Sequence, residues 1–324
     1  MISIKTATDS LFFSKNDAKD SRLGDLAQVT SPDELAKLAR GGWAILGYPD
    51  DDGIRLNGGR LGARGAPDCI RKYFYRMTAP NSSQVFHDLG NLHFEVAPDS
   101  DSVIHLRERH TFAQKTVLQI LSAGKKVMSL GGGHDYGFPD AAAFVEHNLK
   151  SSSLRPVVIN FDAHLDVRPS DKGFHSGTPF HRLLEKYHGK IDFFEVGIQP
   201  QCNSVHHQAW AKEHGAVILD LMSLERQGML ASLQRHLPSS GQVRRPLWLS
   251  IDIDGFCSAE APGCSQSFST GLRIQEFLPA LRHLSAHFDV QGLGVYEVSP
   301  ALDQDDRTSK LAALILFHTV FPSL

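Results

Sequence analysis

The chain has 324 residues, 41% of them hydrophobic and 21% charged, with a formal net charge of −3. That balance is ordinary for a soluble globular protein. With no lysine- or arginine-rich run, it argues against a nucleic-acid or membrane partner. The start, "MISIKTATDSLFFSK", lacks the apolar core of a signal peptide, and the strongest apolar run, Leu311–Phe317, is far too short to span a bilayer. Cys69, Cys202, Cys257 and Cys264 form no C-x-x-C pair, so they are read as free thiols in a reducing compartment, the cytoplasm.

No repeat or low-complexity tract divides the chain, and a single domain over 1–324 is expected, with 1–42 as an N-terminal arm and helix. The arm reads as loose. "SPDELAKLARGG" then reads as a helix: Ser31 caps it, Pro32 suits its first turn, Glu34 completes a capping box and Gly41 ends it. After Gly42, eight apolar runs follow: 43–47, 85–89, 126–130, 156–161, 192–197, 216–221, 247–252 and 290–298. Several are continuous rather than alternating, as in strands buried on both faces. Helical patterns separate them, among them Phe112–Ala123, Pro139–Leu149, Pro179–Tyr187 and Gln275–Ala286. Strand–helix alternation predicts an α/β fold with a mainly parallel sheet, whose sites gather where strands end.

Polar residues fall at four of those ends. "VMSLGGGHD" puts His134 after one run, "VVINFDAHLD" puts Asp162, His164 and Asp166 after a second, "LWLSIDID" ends on Asp252 and Asp254, and "GLGVYEVSP" carries Glu297. In extended chain, residues i, i+2 and i+4 point the same way, so each set is expected to project together. A lone D-x-D also suits a solvated turn, and a lone histidine after glycines suits a loop. The glycines raise a phosphate cradle as a rival, but "GGGHDYG" is neither G-x-G-x-x-G nor a P-loop. Three such groups on one buried strand are costly unless something compensates them, and metal coordination does. Six donors, four Asp and two His, crowd one ion but suit two sharing carboxylates about 3.5–4 Å apart. The oxygen-rich, cysteine-free set favours Mn2+. Two such ions activate a shared water near neutral pH, which predicts a hydrolase.

These motifs, with "SGTPF", "EVSPALDQD" and "RLNGGRLGARGAPDCIR", resemble the arginase–agmatinase–formimidoylglutamase (ureohydrolase) family over roughly residues 43–320. The resemblance implies a three-layer α/β/α arginase-like fold on an eight-stranded sheet, a homo-oligomer, and two Mn2+ per chain. One ion is implied on His134, Asp162, Asp166 and Asp252, the other on His164, Asp162, Asp252 and Asp254. Asp162 and Asp252 would bridge. It further implies that Asp166 passes a proton to the leaving nitrogen and that Glu297 pairs with a cationic substrate head. Family members acting on guanidines typically carry a histidine directly before the glycine of "HSGTPF"; here Ser176 stands there, with His175 one residue earlier and turned away in an extended loop. The "SGTPF" form resembles formimidoylglutamases, which moves the expectation to N-formimidoyl-L-glutamate, cleaved to L-glutamate and formamide. The alternatives are a guanidine hydrolase releasing urea and a catalytically silent metal-binding relative.

An acidic substrate also fits Thr178 and Pro179 as the start of a helix with free N–H groups, and Asn57, Arg60 and Arg64 as anion contacts. Arg168 is read as pairing with a ligand carboxylate. His206 and His207 are placed in a loop at the mouth of the site.

Overall fold

The structure is a computed structural model that describes residues 1–81, 83–95, 102–237 and 243–323. All eight apolar runs are strands, but the sheet has ten among the described residues. They are β1 (Ile2–Lys5), β2 (Ala27–Val29), β3 (Trp43–Gly47), β4 (Phe86–Phe94), β5 (Lys126–Leu130), β6 (Val157–Phe161), β7 (Asp192–Ile198), β8 (Ala216–Asp220), β9 (Pro246–Asp252) and β10 (Asp289–Tyr296). The two additions come from the supposed loose arm. β1 runs antiparallel along the far half of β4, from Ile2 opposite Phe94 to Lys5 opposite Asn91, while β2 pairs parallel with its near half. Both are short, and their burial alternates or is slight, so they carried little apolar signal. All other pairings are parallel.

The capping box of Ser31 and Glu34 forms as expected, but the helix it starts stops at Leu35. Only Leu35 of that turn is buried, so nothing holds a longer amphipathic face against the core. Three later helices match the sequence closely, Gly137–Ser151, Pro179–Tyr187 and Ile274–His287, whereas the helix expected over Phe112–Ala123 starts ten residues earlier, as Ser102–Ser122.

Side chains of the central strands alternate between two cores. Val157, Ile159 and Phe161 of β6 and Leu247, Leu249 and Ile251 of β9 enter one, with helices Ala66–Phe74, Ile274–His287 and Arg307–Val320. Val158 and Trp248 enter the other, with helices Ser102–Ser122, Gly137–Ser151 and Pro179–Tyr187. This is the three-layer α/β/α arrangement. No helix among the described residues is long and apolar enough to cross a membrane.

A buried ion pair ties one helix layer to the sheet. Arg71, on Ala66–Phe74, is fully buried and donates Nε and Nη2 to the two carboxylate oxygens of Asp88 on β4, at 2.8 and 3.0 Å. Nη1 reaches Asn91 Oδ1 at 2.7 Å, and Nη2 also reaches the Gly90 carbonyl at 2.9 Å. Arg71→Met therefore strands a buried carboxylate. It is expected to cost about 3–5 kcal/mol, read as a lower urea midpoint with unchanged slope; a loss below about 1 kcal/mol would show that Asp88 finds other partners.

The strand order is β1-β4-β3-β5-β10-β9-β6-β7-β8. Strands β5 and β6 follow each other in the chain, yet β10 and β9 lie between them. The four ends that carry His134, Glu297, Asp252 and Asp162 thus belong to four adjacent strands.

Candidate metal centre

His134 opens a short turn after the three glycines. The glycines are there for close approach: a Cβ on Gly132 would lie 2.0 Å from the Asp50 carbonyl oxygen, and one on Gly131 would lie 2.2 Å from that of Val295. The loop thereby passes between neighbouring strand ends and buries His134 completely. The ring stacks on Tyr296, takes the edge of Phe180, and has Nε2 2.9 Å from Ser250 Oγ. That contact aims Nδ1 at three carboxylates: Asp166 Oδ2 at 3.0 Å, Asp252 Oδ2 at 3.1 Å and Asp162 Oδ2 at 3.2 Å.

The second group forms beside the first. Asp162 turns its Oδ1 towards His164 Nδ1 at 3.4 Å, and Asp254 Oδ2 lies 3.3 Å from the same nitrogen. Ligand-capable atoms of His134, Asp162, Asp166 and Asp252 all lie within 4.8 Å of one another, as do those of Asp162, His164 and Asp254. All six expected donors converge, and Asp162 belongs to both sets. Asp252 is in the first set only; its Oδ1 accepts the Asp254 N–H at 2.9 Å.

The extended-chain expectation needs correction here. β6 stops at Phe161, and Asp166 has φ +48°, a left-handed conformation uncommon for a non-glycine residue. His164 and Asp166 therefore serve different sets. Asp166 is held in place by its carbonyl, which accepts the Phe180 N–H at 3.1 Å. Glu297 is left-handed too, at φ +62°; its Oε1 accepts the His134 N–H at 3.0 Å. Backbone strain of this kind gathers at functional sites.

The residues fit metal ions. His134 Nδ1 and Asp254 Oδ1 are buried without a hydrogen-bond partner, although carboxylates crowd them. Burial, then repulsion from Asp254 and Asp162, pushes the Asp252 carboxyl well above its usual range. Burial, then repulsion from Asp252, does the same to Glu297, while Asp254 is pushed up to about 7, burial being the main cause. Burial opposes charge on His134, yet the surrounding carboxylates outweigh it and hold the imidazole well above its usual value. Acids gaining protons while imidazoles keep theirs is the state a divalent cation would replace.

A cavity of about 480 Å3 opens over these groups, lined on its floor by His164, Asp166, Asp252, Asp254 and Glu297. Asn57 and Ser176 line it and bond each other, Nδ2 to Oγ at 3.0 Å. Arg60 does not line it. Its guanidinium donates to the Ser265 and Cys264 carbonyls and clamps that loop. Arg64 pairs with Asp51. Thr178 is fully buried with its hydroxyl on the His175 carbonyl. At the helix start behind it, Pro179 has no N–H and that of Phe180 is taken by the Asp166 carbonyl. His175 is held by the Gly177 N–H at its Nδ1 and does not line the cavity. His206 and His207 lie in the first turn of helix Val205–Glu213, and His207 reaches the wall.

Arg168 departs most from the sequence reading. It lines the cavity and donates to Asn57 Oδ1 at 2.8 Å rather than to a ligand carboxylate. Among the lining residues it is the one arginine or lysine. The sequence reading also missed Ser250 behind His134, and Asn160, whose Nδ2 reaches Asp162 Oδ2 at 3.2 Å and Glu195 Oε2 at 2.8 Å. Both stand two residues before an expected ligand, polar positions in otherwise apolar buried strands, and that spacing was the available signal.

The arginase family model matches residues 42–321. The chain belongs to the arginase family. It is 30% identical over 309 residues to a formimidoylglutamase of Staphylococcus carnosus, covering 95% of each chain, and 30% identical over 287 residues to one of Streptococcus pyogenes, covering 86% of this chain and 84% of that one. Among solved structures, a Bacillus subtilis formimidoylglutamase superposes with a TM-score of 0.81 at 26% identity, over 96% of this chain and 94% of that one. A Trypanosoma cruzi formiminoglutamase solved with Mn2+ gives a TM-score of 0.77 at 27% identity, over 93% and 97%. As an arginase-family member with six converging donors, the chain is a metal-dependent hydrolase of C–N bonds.

Proposed function

We propose that this chain hydrolyses N-formimidoyl-L-glutamate to L-glutamate and formamide on a pair of Mn2+ ions. The observation that carries the reading is a set of six converging donors, four of which (His164, Asp166, Asp252 and Asp254) line the floor of a cavity with Arg168 on its wall. His134, Asp162, Asp166 and Asp252 would hold one ion, and Asp162, His164 and Asp254 the other. Bound there, the ions supply an activated water at neutral pH. Glu297, anchored through one oxygen, presents its carboxylate to the amidinium head. Asp166 is placed to carry a proton to the glutamate nitrogen as the C–N bond breaks. Asn57 and Ser176 line the passage, and the Arg168 guanidinium meets a substrate carboxylate. The relatives named formimidoylglutamase support the same substrate. A reducing, cytoplasmic setting agrees with four free cysteines.

An arginase-like reading shares the floor and differs in the product. After Mn2+ loading, turnover is compared on N-formimidoyl-L-glutamate, arginine, agmatine and guanidinobutyrate. Formamide from the first compound alone is the expected result, and urea from any guanidine overturns the substrate assignment. Arg168→Ala should raise KM roughly 10- to 100-fold with little change in kcat, because a distant carboxylate contact binds ground and transition states alike. A fall in kcat at constant KM would remove Arg168 from substrate binding.

A further inference from the structure

Behind the metal turn runs a buried chain that the proposed chemistry does not use. Arg182, on helix Pro179–Tyr187, donates Nη1–H to His110 Nδ1 at 3.1 Å, and His110 Nε2–H donates to Asp135 Oδ2 at 2.7 Å. Asp135 directly follows His134. His110 and Asp135 are both buried, and burial and then Arg182 hold His110 well below its usual pKa, so it bridges as neutral imidazole. The Arg182 guanidinium lies between the rings of Phe138 and Phe174, 3.7 and 3.5 Å from their centroids.

The same groups also grip the loop that carries Ser176. The Phe174 ring stacks on His110, with centroids 6.0 Å apart and planes 11° apart. Asp135 packs against Gly53, where a Cβ would come within 2.0 Å of its Oδ1, and the Gly53 carbonyl accepts the Ser176 N–H at 3.1 Å. Helix Pro179–Tyr187 adds two contacts of its own: the edge of Phe180 on the His134 ring, and the Phe180 N–H on the Asp166 carbonyl. Among the described residues, no hydrogen bond, ion pair or ring contact joins Arg182, His110 or Asp135 to Asp162, His164 or Asp254.

We infer that Arg182–His110–Asp135 is a positioning relay that locks the His134 turn to the Ser176 loop, making His110 a determinant of metal retention at the His134 set and not at the His164 set. The inference rests on the two-metal reading above. An imidazole suits the position because it accepts from a guanidinium on one side and donates to a carboxylate on the other while staying uncharged. Its role is orientation of a ligand-bearing turn, the function that outer partners of metal ligands serve.

The test is metal content and affinity, by elemental analysis after dialysis and by competition with a chelator. Wild type must first hold two Mn2+ per chain; failure there overturns the metal centre itself. His110→Leu should weaken one of the two ions by about 10-fold or more and leave the other at wild-type affinity. His110→Gln, which keeps one acceptor and one donor, should hold both. Adding His164→Ala to His110→Leu should remove the remaining ion. Two ions bound by His110→Leu at wild-type affinity overturn the inference, as does equal weakening of both in step with a lower Tm. Should His110→Leu not fold, Asp135→Asn keeps the shape, and the same selective loss or its absence decides.

Discussion

Asp252→Asn should abolish turnover while leaving the fold intact. Asp252 Oδ2 is one of three oxygens facing His134 Nδ1, and Oδ1 accepts the Asp254 N–H. Asparagine keeps the shape and the second bond but removes the charge that a divalent cation needs. A loss of about 4 kcal/mol of transition-state stabilisation corresponds to roughly 10³-fold in kcat/KM. Metal content should fall with it. The metal-free variant should melt no lower than metal-free wild type, since one of several mutually repelling buried acids has become neutral. Wild-type metal content and rate in Asp252→Asn would remove this residue from the centre. A large drop in metal-free Tm would instead make it a structural residue.

Metal-free protein should lose stability as pH rises, and metal should reverse the trend. Asp254, pushed up to about 7, and Asp252 and Glu297, both well above their usual range, are acids whose folded pKa exceeds the unfolded one. The folded state then binds more protons, so stability falls from about pH 4 through 7. His134 and His164 are also raised, so their contribution is present below about 6.5 and lost above it, with the same sign. Asp162 is lowered and acts in the opposite sense, but only below its ordinary value near 3.8. Ions displace these protons, so their affinity grows with pH. The Tm gap between Mn2+-loaded and metal-free protein should widen by roughly 5 °C or more from pH 5 to 8. Parallel melting curves across that range would mean that the clustered groups are not competing with metal for protons.

Much of this was readable in the chain. A strand buried on both faces is apolar throughout, so the eight central runs stand out, and their carboxyl ends carry the six residues that the fold brings together, with Glu297 beside them. Where burial is partial, the sequence carries less: β1 and β2 lack an apolar run, and the capping box at Ser31 marks where a helix starts but not that only Leu35 finds a surface to pack on. The anion contacts are hard to read for another reason. An arginine or a helix start has many partners within reach, and only packing chooses among them. Arg60 went to carbonyls, the N–H groups at Thr178 and Phe180 to His175 and Asp166, and Arg168, expected beside a ligand, went to the cavity wall.

What the sequence by itself determined is the inventory: which strands end in acids and imidazoles, because residue type and apolar run are local properties. What only the tertiary structure decided is their meeting. Strand order inserts β10 and β9 between β5 and β6, and without that order His134 and Asp162, twenty-eight positions apart in the chain, would not face each other across 3.2 Å. Left-handed turns at Asp166 and Glu297 then set which donor joins which group. Such turns are held by long-range backbone bonds, to Phe180 and to Gly132, and no local pattern encodes those partners.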